Sequence, residues 1–238
     1  MPLPKISTPT YELEVPSTKK KIRYRPFLVR EEKILIIAME SEDTAQIAGA
    51  VKDVITSCIL SRGVKVNEFS TFDIEYLFLN IRGKSVGEEV EVLVTCPDDG
   101  VTKVPVTIGL DEIQIQVDEK HSRDIKLDDT LMLRMKYPSM DQFIKNNFAT
   151  NEVNVEDTFE IVSECIEQVF SEEESWSAKD CTKKELKEFI EQLSSKQFKE
   201  VENFFATMPK LSHTITVKNP NTEVESEVVL EGLASFFV

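Results

Sequence analysis

Val90-Glu91-Val92-Leu93-Val94-Thr95-Cys96-Pro97-Asp98-Asp99-Gly100, returning through Val101-Thr102-Lys103-Val104-Pro105-Val106-Thr107-Ile108, is the stretch on which the fold turns. The even positions from Val90 to Val94 are apolar and the odd ones polar apart from Leu93, the period of a half-buried strand. Proline and glycine are turn residues, the first because its φ is preset and the second because it tolerates a positive one, so Pro97–Gly100 reads as a reverse turn between antiparallel strands. A second hairpin lies near the other end: Ile215–Val217 and Val224–Leu230 flank the turn Asn219-Pro220-Asn221-Thr222. The two superpose at an offset of 123 residues, with Val94 on Val217, Pro97 on Pro220, Val101 on Val224, Val106 on Val229 and Gly109-Leu110 on Gly232-Leu233. Generic hairpins share alternation and a turn proline, so duplication and coincidence both stay open. A true duplication would have each copy closing one half of the molecule.

Moving outward, Ile113–Val117, Asp124–Leu127 and Leu131–Tyr137 also alternate and are expected to extend the first hairpin's sheet. Upstream, Tyr11–Val15 and Ile22–Phe27 alternate around Pro16–Lys20, an N-terminal hairpin. Ile47, Val51, Val54, Ile55, Cys58 and Ile59 make one helical stripe, capped by Asp43 or Thr44. A preceding helix over Val29–Met39 is apolar all round, which predicts a central, buried position. A third helix opens at Ser70, carries Asp73 in its first turn, buries Ile74, Leu77, Phe78 and Ile81, and stops near Gly83. From Ser139 the chain reads as mainly helical. Its faces are Phe159/Val162/Ile166/Val169/Phe170, then Leu186/Phe189/Ile190/Leu193 behind the capping box Thr182-Lys183-Lys184-Glu185, then Phe198/Val201/Phe204/Phe205/Met208. Between the first two lies an acidic linker, Ser171–Trp176, with the sole tryptophan. These elements predict an α+β fold: residues 1–138 form an N-terminal α+β domain with an antiparallel sheet, and 139–238 a mainly helical region closed by the terminal hairpin, the two packing as separate domains or as one unit.

Composition narrows function. The 238 residues are 41% hydrophobic and 30% charged, enough apolar content for a core. A net charge of −15 repels phosphate backbones and anionic membranes, so neither nucleic acid nor membrane is an expected partner. The longest apolar run, Ile34–Met39, is far short of the roughly 20 residues that span a bilayer. Residues 1–10 carry three prolines and no signal pattern, and no Cys-x-x-Cys pair occurs, so a reducing cytosol is expected. Cys58 and Cys165 read as small buried hydrophobes.

No catalytic constellation stands out. Arg82-Gly83-Lys84-Ser85 resembles the end of a phosphate loop, but Phe78 stands where the first glycine is needed, and the preceding segment is helix. His121 sits in a charged loop and His213 enters the last hairpin, neither with a nucleophile signature. The 43 carboxylates make spaced pairs trivial. Cys96-Pro97-Asp98-Asp99-Gly100 has the turn of a zinc knuckle but one thiol, with Asp99 where the second would fall; Asn219–Thr222 has none. The chain is therefore expected to be non-enzymatic, without cofactor or metal.

A family resemblance runs through the whole chain and is densest in the first 100 residues. Leu3–Leu13, Pro16-Ser17-Thr18, Arg23-Tyr24-Arg25-Pro26-Phe27 through Lys33, Asp53–Cys58, Leu77–Arg82, Cys96–Gly100 and Leu230–Phe237 are similar to the baseplate hub subunit and hub-assembly proteins of T4-like contractile-tailed phages. Paired cysteines at the hairpin turns are part of what the resemblance implies, and this chain departs from them. The resemblance implies a hub subunit or assembly factor that binds other baseplate hub or tape-measure proteins. It implies the host cytoplasm during assembly, and either release or retention in the virion baseplate afterwards. A transient tape-measure or tail-assembly chaperone is the alternative; a tail-tip hydrolase and a DNA mimic stand further off. Two segments are candidate partner contacts. Trp176 beside three glutamates has the make-up of an interface anchor, although packing between flanking helices is favoured. Leu233, Phe236 and Phe237 could enter a partner's groove, although closing this chain's own core is favoured.

Overall fold

The computed structural model describes residues 6–41, 43–139, 142, 155–232 and 235. In chain order the elements are β1 (Tyr11–Glu14), β2 (Lys21–Tyr24), α1 (Val29–Glu40), α2 (Thr44–Cys58), α3 (Thr71–Ser85), β3 (Glu89–Thr95), β4 (Lys103–Gly109) and β5 (Gln114–Gln116). Then come β6 (Asp124–Lys126), β7 (Met132–Met135), α4 (Val155–Glu164), β8 (Ile166–Phe170), β9 (Ser175–Ser177), α5 (Lys183–Glu191), α6 (Ser195–Thr207), β10 (Lys210–Lys218) and β11 (Glu225–Glu231). The fold is α+β, with every described strand pairing antiparallel.

The chain divides into two compact units, Met1–Gln116 with Lys210–Val238, and Val117–Pro209. The terminal hairpin, assigned from sequence to the second region, thus belongs with the first: Leu211 and its neighbours pair with Ile115, making a sheet of order β11-β10-β5. This also corrects the expectation that 113–137 extends the first hairpin's sheet. β3–β4 stands as its own ribbon, and β6 and β7 join β8 and β9 in the other unit. Alternation reports which face of a strand is buried and carries no information about its neighbour.

In the first unit, Val90, Val92, Val94 and Ile108 of β3–β4 share a core with Leu211, Ile215, Val217 and Leu230 of the β10–β11 hairpin and with Leu79 of α3. Removing each such side chain from water is worth about 1.5–3 kcal/mol. Asp43, rather than Thr44, caps α2, accepting from the Ala45 and Gln46 amides. Ser70 caps α3, and Asp73, fully buried, accepts from the amide and hydroxyl of both Ser70 and Ser17. One carboxylate so ties the β1–β2 turn to the start of α3. That helix passes through Gly83 to Ser85, since Gly83 has no left-handed φ to end it; a Cβ there would come within 3.2 Å of Leu110 Cδ1, a tight contact.

The second unit packs its helices on the sheet β6-β7-β8-β9, around Leu133, Met135, Val162, Cys165, Ile166, Ile190, Val201 and Phe204. The helical face drawn from Phe159 to Phe170 is corrected here. α4 ends at Glu164, the Cys165 carbonyl accepts from the Lys136 amide at 2.8 Å, and Ile166–Phe170 pairs with β7. β-branched and aromatic residues suit either period, and the neighbouring strand decided it. Ser171–Glu174 is accordingly the turn of a β8–β9 hairpin and not a linker between helices. The capping box at Thr182 and Glu185 forms as its spacing predicts.

Candidate interaction surfaces

The sequence places α1 correctly and its burial wrongly. Of its twelve residues Glu31 and Ala38 are buried, while Val29, Ile34, Ile36, Ile37 and Met39 are 45% to 79% exposed. What fixes this helix is polar. The Arg25 guanidinium donates to Glu31 Oε1 at 2.9 Å, to the Ser57 carbonyl at 3.0 Å and to the Pro26 carbonyl at 2.9 Å. The Leu28 amide and Arg30 also donate to Glu31, at 2.8 and 2.7 Å. Burial opposes ionisation of Glu31, but these donors outweigh it and hold the carboxyl at about 2, well below its ordinary value. The first turn is therefore anchored by a buried ion pair, and the aliphatic turns beyond it stay open. Aliphatic side chains exposed on adjacent turns of one helix are the usual mark of an interaction surface. The signal in the sequence was the apolar run Ile34–Met39, which reads as core although four of its side chains are 45% to 55% exposed.

Trp176 lies in β9, opposite Val169, on an edge strand of three residues, and is 45% exposed. It does not pack between the flanking helices, because the chain before it is strand. Leu233, Phe236 and Phe237 lie outside the described residues.

Other candidate groups are engaged in structure. His121 is stacked on Tyr137 and tilted against Phe204, its ring nitrogens 3.0 Å from Thr207 Oγ1 and Tyr137 Oη, and burial lowers its pKa. His213 Nε2 lies 3.5 Å from Glu112 Oε2. Burial pushes the Cys58 and Cys165 thiols up to about 11 and about 12, keeping both protonated. A groove of about 560 Å³ in the second unit mixes Lys120, Lys126 and Lys196 with Asp124, Asp128, Asp129 and Glu200, so its lining interleaves both signs of charge with one carboxylate in excess. Among the described residues, no group of three or more His, Cys, Asp or Glu is placed to hold a metal ion, and no helix is long and apolar enough to cross a membrane.

Fold and surface together define an α+β protein whose most distinctive exterior feature is an uncovered aliphatic helix. Over residues 8–238 the chain matches the family described as T4 bacteriophage base plate protein, and it belongs to that family. No curated protein and no solved structure matches it. It is a phage baseplate protein, and its family points to other phage structural proteins as partners and to the virion tail baseplate as its place.

Proposed function

We propose that this chain is a hub subunit or hub-assembly factor of the contractile-tail baseplate, working by protein–protein binding and without turnover. The observation that carries the reading is α1: in a chain of a baseplate family, five aliphatic side chains of one anchored helix face outward. An amphipathic groove or helix on a hub or tape-measure protein is the matching surface, since helix-in-groove binding buries side chains spaced as Ile34 and Ile37 are. The acidic remainder of the surface, at net −15, suits a protein that must stay dispersed until its partner arrives.

The test is co-expression with each tail protein and affinity capture, wild type against Ile34→Glu/Ile37→Glu. Both positions are exposed, so the variant keeps its circular dichroism spectrum and melting temperature. Capture of a hub or tape-measure protein falls at least about tenfold, the consequence of losing roughly 1.4 kcal/mol of binding. Undiminished capture by the folded variant rejects α1 as the contact. Peptides of this chain in purified particles separate a resident subunit from a factor that leaves.

A further inference from the structure

The turns of β3–β4 and β10–β11 are built alike, and they meet. Cys96 opens one and Asn219 the other, each 1% exposed. The Gly100 amide donates to the Cys96 carbonyl and the Glu223 amide to the Asn219 carbonyl, both at 2.9 Å. Gly100 and Glu223 hold φ of 67° and 61°, a left-handed region that favours glycine and strains a residue with a side chain. The 123-residue offset thus holds through both turns. It then slips by one: the Cys96 amide reaches the Thr102 carbonyl, whereas the Asn219 amide reaches that of Val224. On the return strands the buried counterparts are Ile108 and Leu230, so the matching Gly-Leu pairs of the sequence are not structural equivalents.

Positions 96 and 99 of one turn and 219 and 222 of the other have the two-residue spacing with which four thiolates close on zinc. The residues here do not fit that ion. Burial, then the Asp98 and Asp99 carboxylates, raise the pKa of Cys96, the single thiol. Asp99 Oδ1 is taken by its own turn's amides, from Val101 at 3.0 Å and Thr102 at 2.9 Å. Asn219 Oδ1 likewise accepts from Asn221, leaving its amide nitrogen, which cannot ligate, facing the other turn.

That nitrogen lies 3.0 Å from both oxygens of Asp98 and 2.9 Å from Asp99 Oδ2. Thr222 Oγ1 donates to Asp98 Oδ2 at 2.5 Å, and Asn221 Nδ2 to Thr102 Oγ1 at 3.0 Å. We infer that the two turns form a metal-independent clasp, in which Asp98 and Asp99 of one hairpin grip the amide of Asn219 and the hydroxyl of Thr222 of the other, where a knuckle pair would hold an ion. Hydrogen bonds to ionised acceptors are the strong kind, and here they join two hairpins whose apolar faces already share a core. The first unit then folds without waiting for a metal, unlike domains whose folding free energy is metal-binding free energy.

The experiment uses the full chain. Purified protein is assayed for zinc by mass spectrometry and melted with and without EDTA; substoichiometric zinc and an unchanged melting temperature are expected. One zinc per chain, or a drop in EDTA, overturns the inference. In EDTA, Asn219→Asp keeps the shape but sets a third carboxylate against Asp98 and Asp99, and lowers the melting temperature by more than about 4 °C. Thr222→Val removes one donor and lowers it by a smaller amount, which keeps the test usable if the first variant does not fold. Wild-type melting in both variants would show that the contact holds nothing.

Discussion

At the level of single residues, the first unit is governed by two buried carboxylates, Glu31 and Asp73. Glu31 neutralises Arg25 in a site where both side chains are at most 10% exposed, so removing its charge strands a buried guanidinium. Glu31→Gln is expected to cost about 3–5 kcal/mol at neutral pH, read from the denaturation midpoint. The sign with pH follows from the depressed carboxyl. Its stabilisation is complete above the unfolded value of 4.5 and is lost as pH falls towards about 2. The gap between wild type and Glu31→Gln therefore narrows over that window; a gap independent of pH would mean the ion pair is not its source. Neither role was legible in the sequence beyond a helix-start preference at Asp73. Arg25 and Glu31 look like ordinary surface charges until the hairpin and the helix turn them inward.

Among the elements, β9 gives the clearest check. Trp176 is the sole tryptophan, so its emission reports one position. On a half-exposed edge strand it should emit at long wavelength and be quenched readily by acrylamide, a neutral quencher that the acidic turn does not repel. Blue-shifted, protected emission would return Trp176 to a packed site between helices. The sequence located this residue and its acidic neighbours, and it misjudged the element because Ile166, Val169 and Phe170 fit a helical face as well as a strand. The caps at Asp43, Ser70 and Thr182 were legible for the opposite reason: capping is settled within four residues of chain. Exposure of α1 was not, since it depends on what the rest of the chain leaves uncovered.

For the molecule as a whole, the return of residues 210–232 to the first unit matters most. Leu211, Ile215, Val217 and Leu230 fill the core opposite β3–β4. At about 1.5–3 kcal/mol each, their burial is comparable to the roughly 5–15 kcal/mol that holds an ordinary domain folded. A chain truncated after Pro209 should bind a hydrophobic dye and lose the cooperative melting of the first unit. A sharp transition at the wild-type temperature would mean that the hairpin merely decorates that unit.

Although it ran the helix of Val155–Glu164 on into a strand, the sequence unaided determined five of the helices, their caps, both valine-rich hairpins and, through resemblance, the baseplate family that the chain proved to match. These depend on contacts within a few residues, or on motifs carried whole along the chain. Which strands became neighbours, which apolar helix stayed open and how two hairpin turns came to clasp one another were decided by tertiary structure. Such pairings join residues far apart in the chain, as Leu133 with Val169, Ile115 with Leu211 and Asp98 with Asn219 are, and nothing local distinguishes one apolar face from another as its partner.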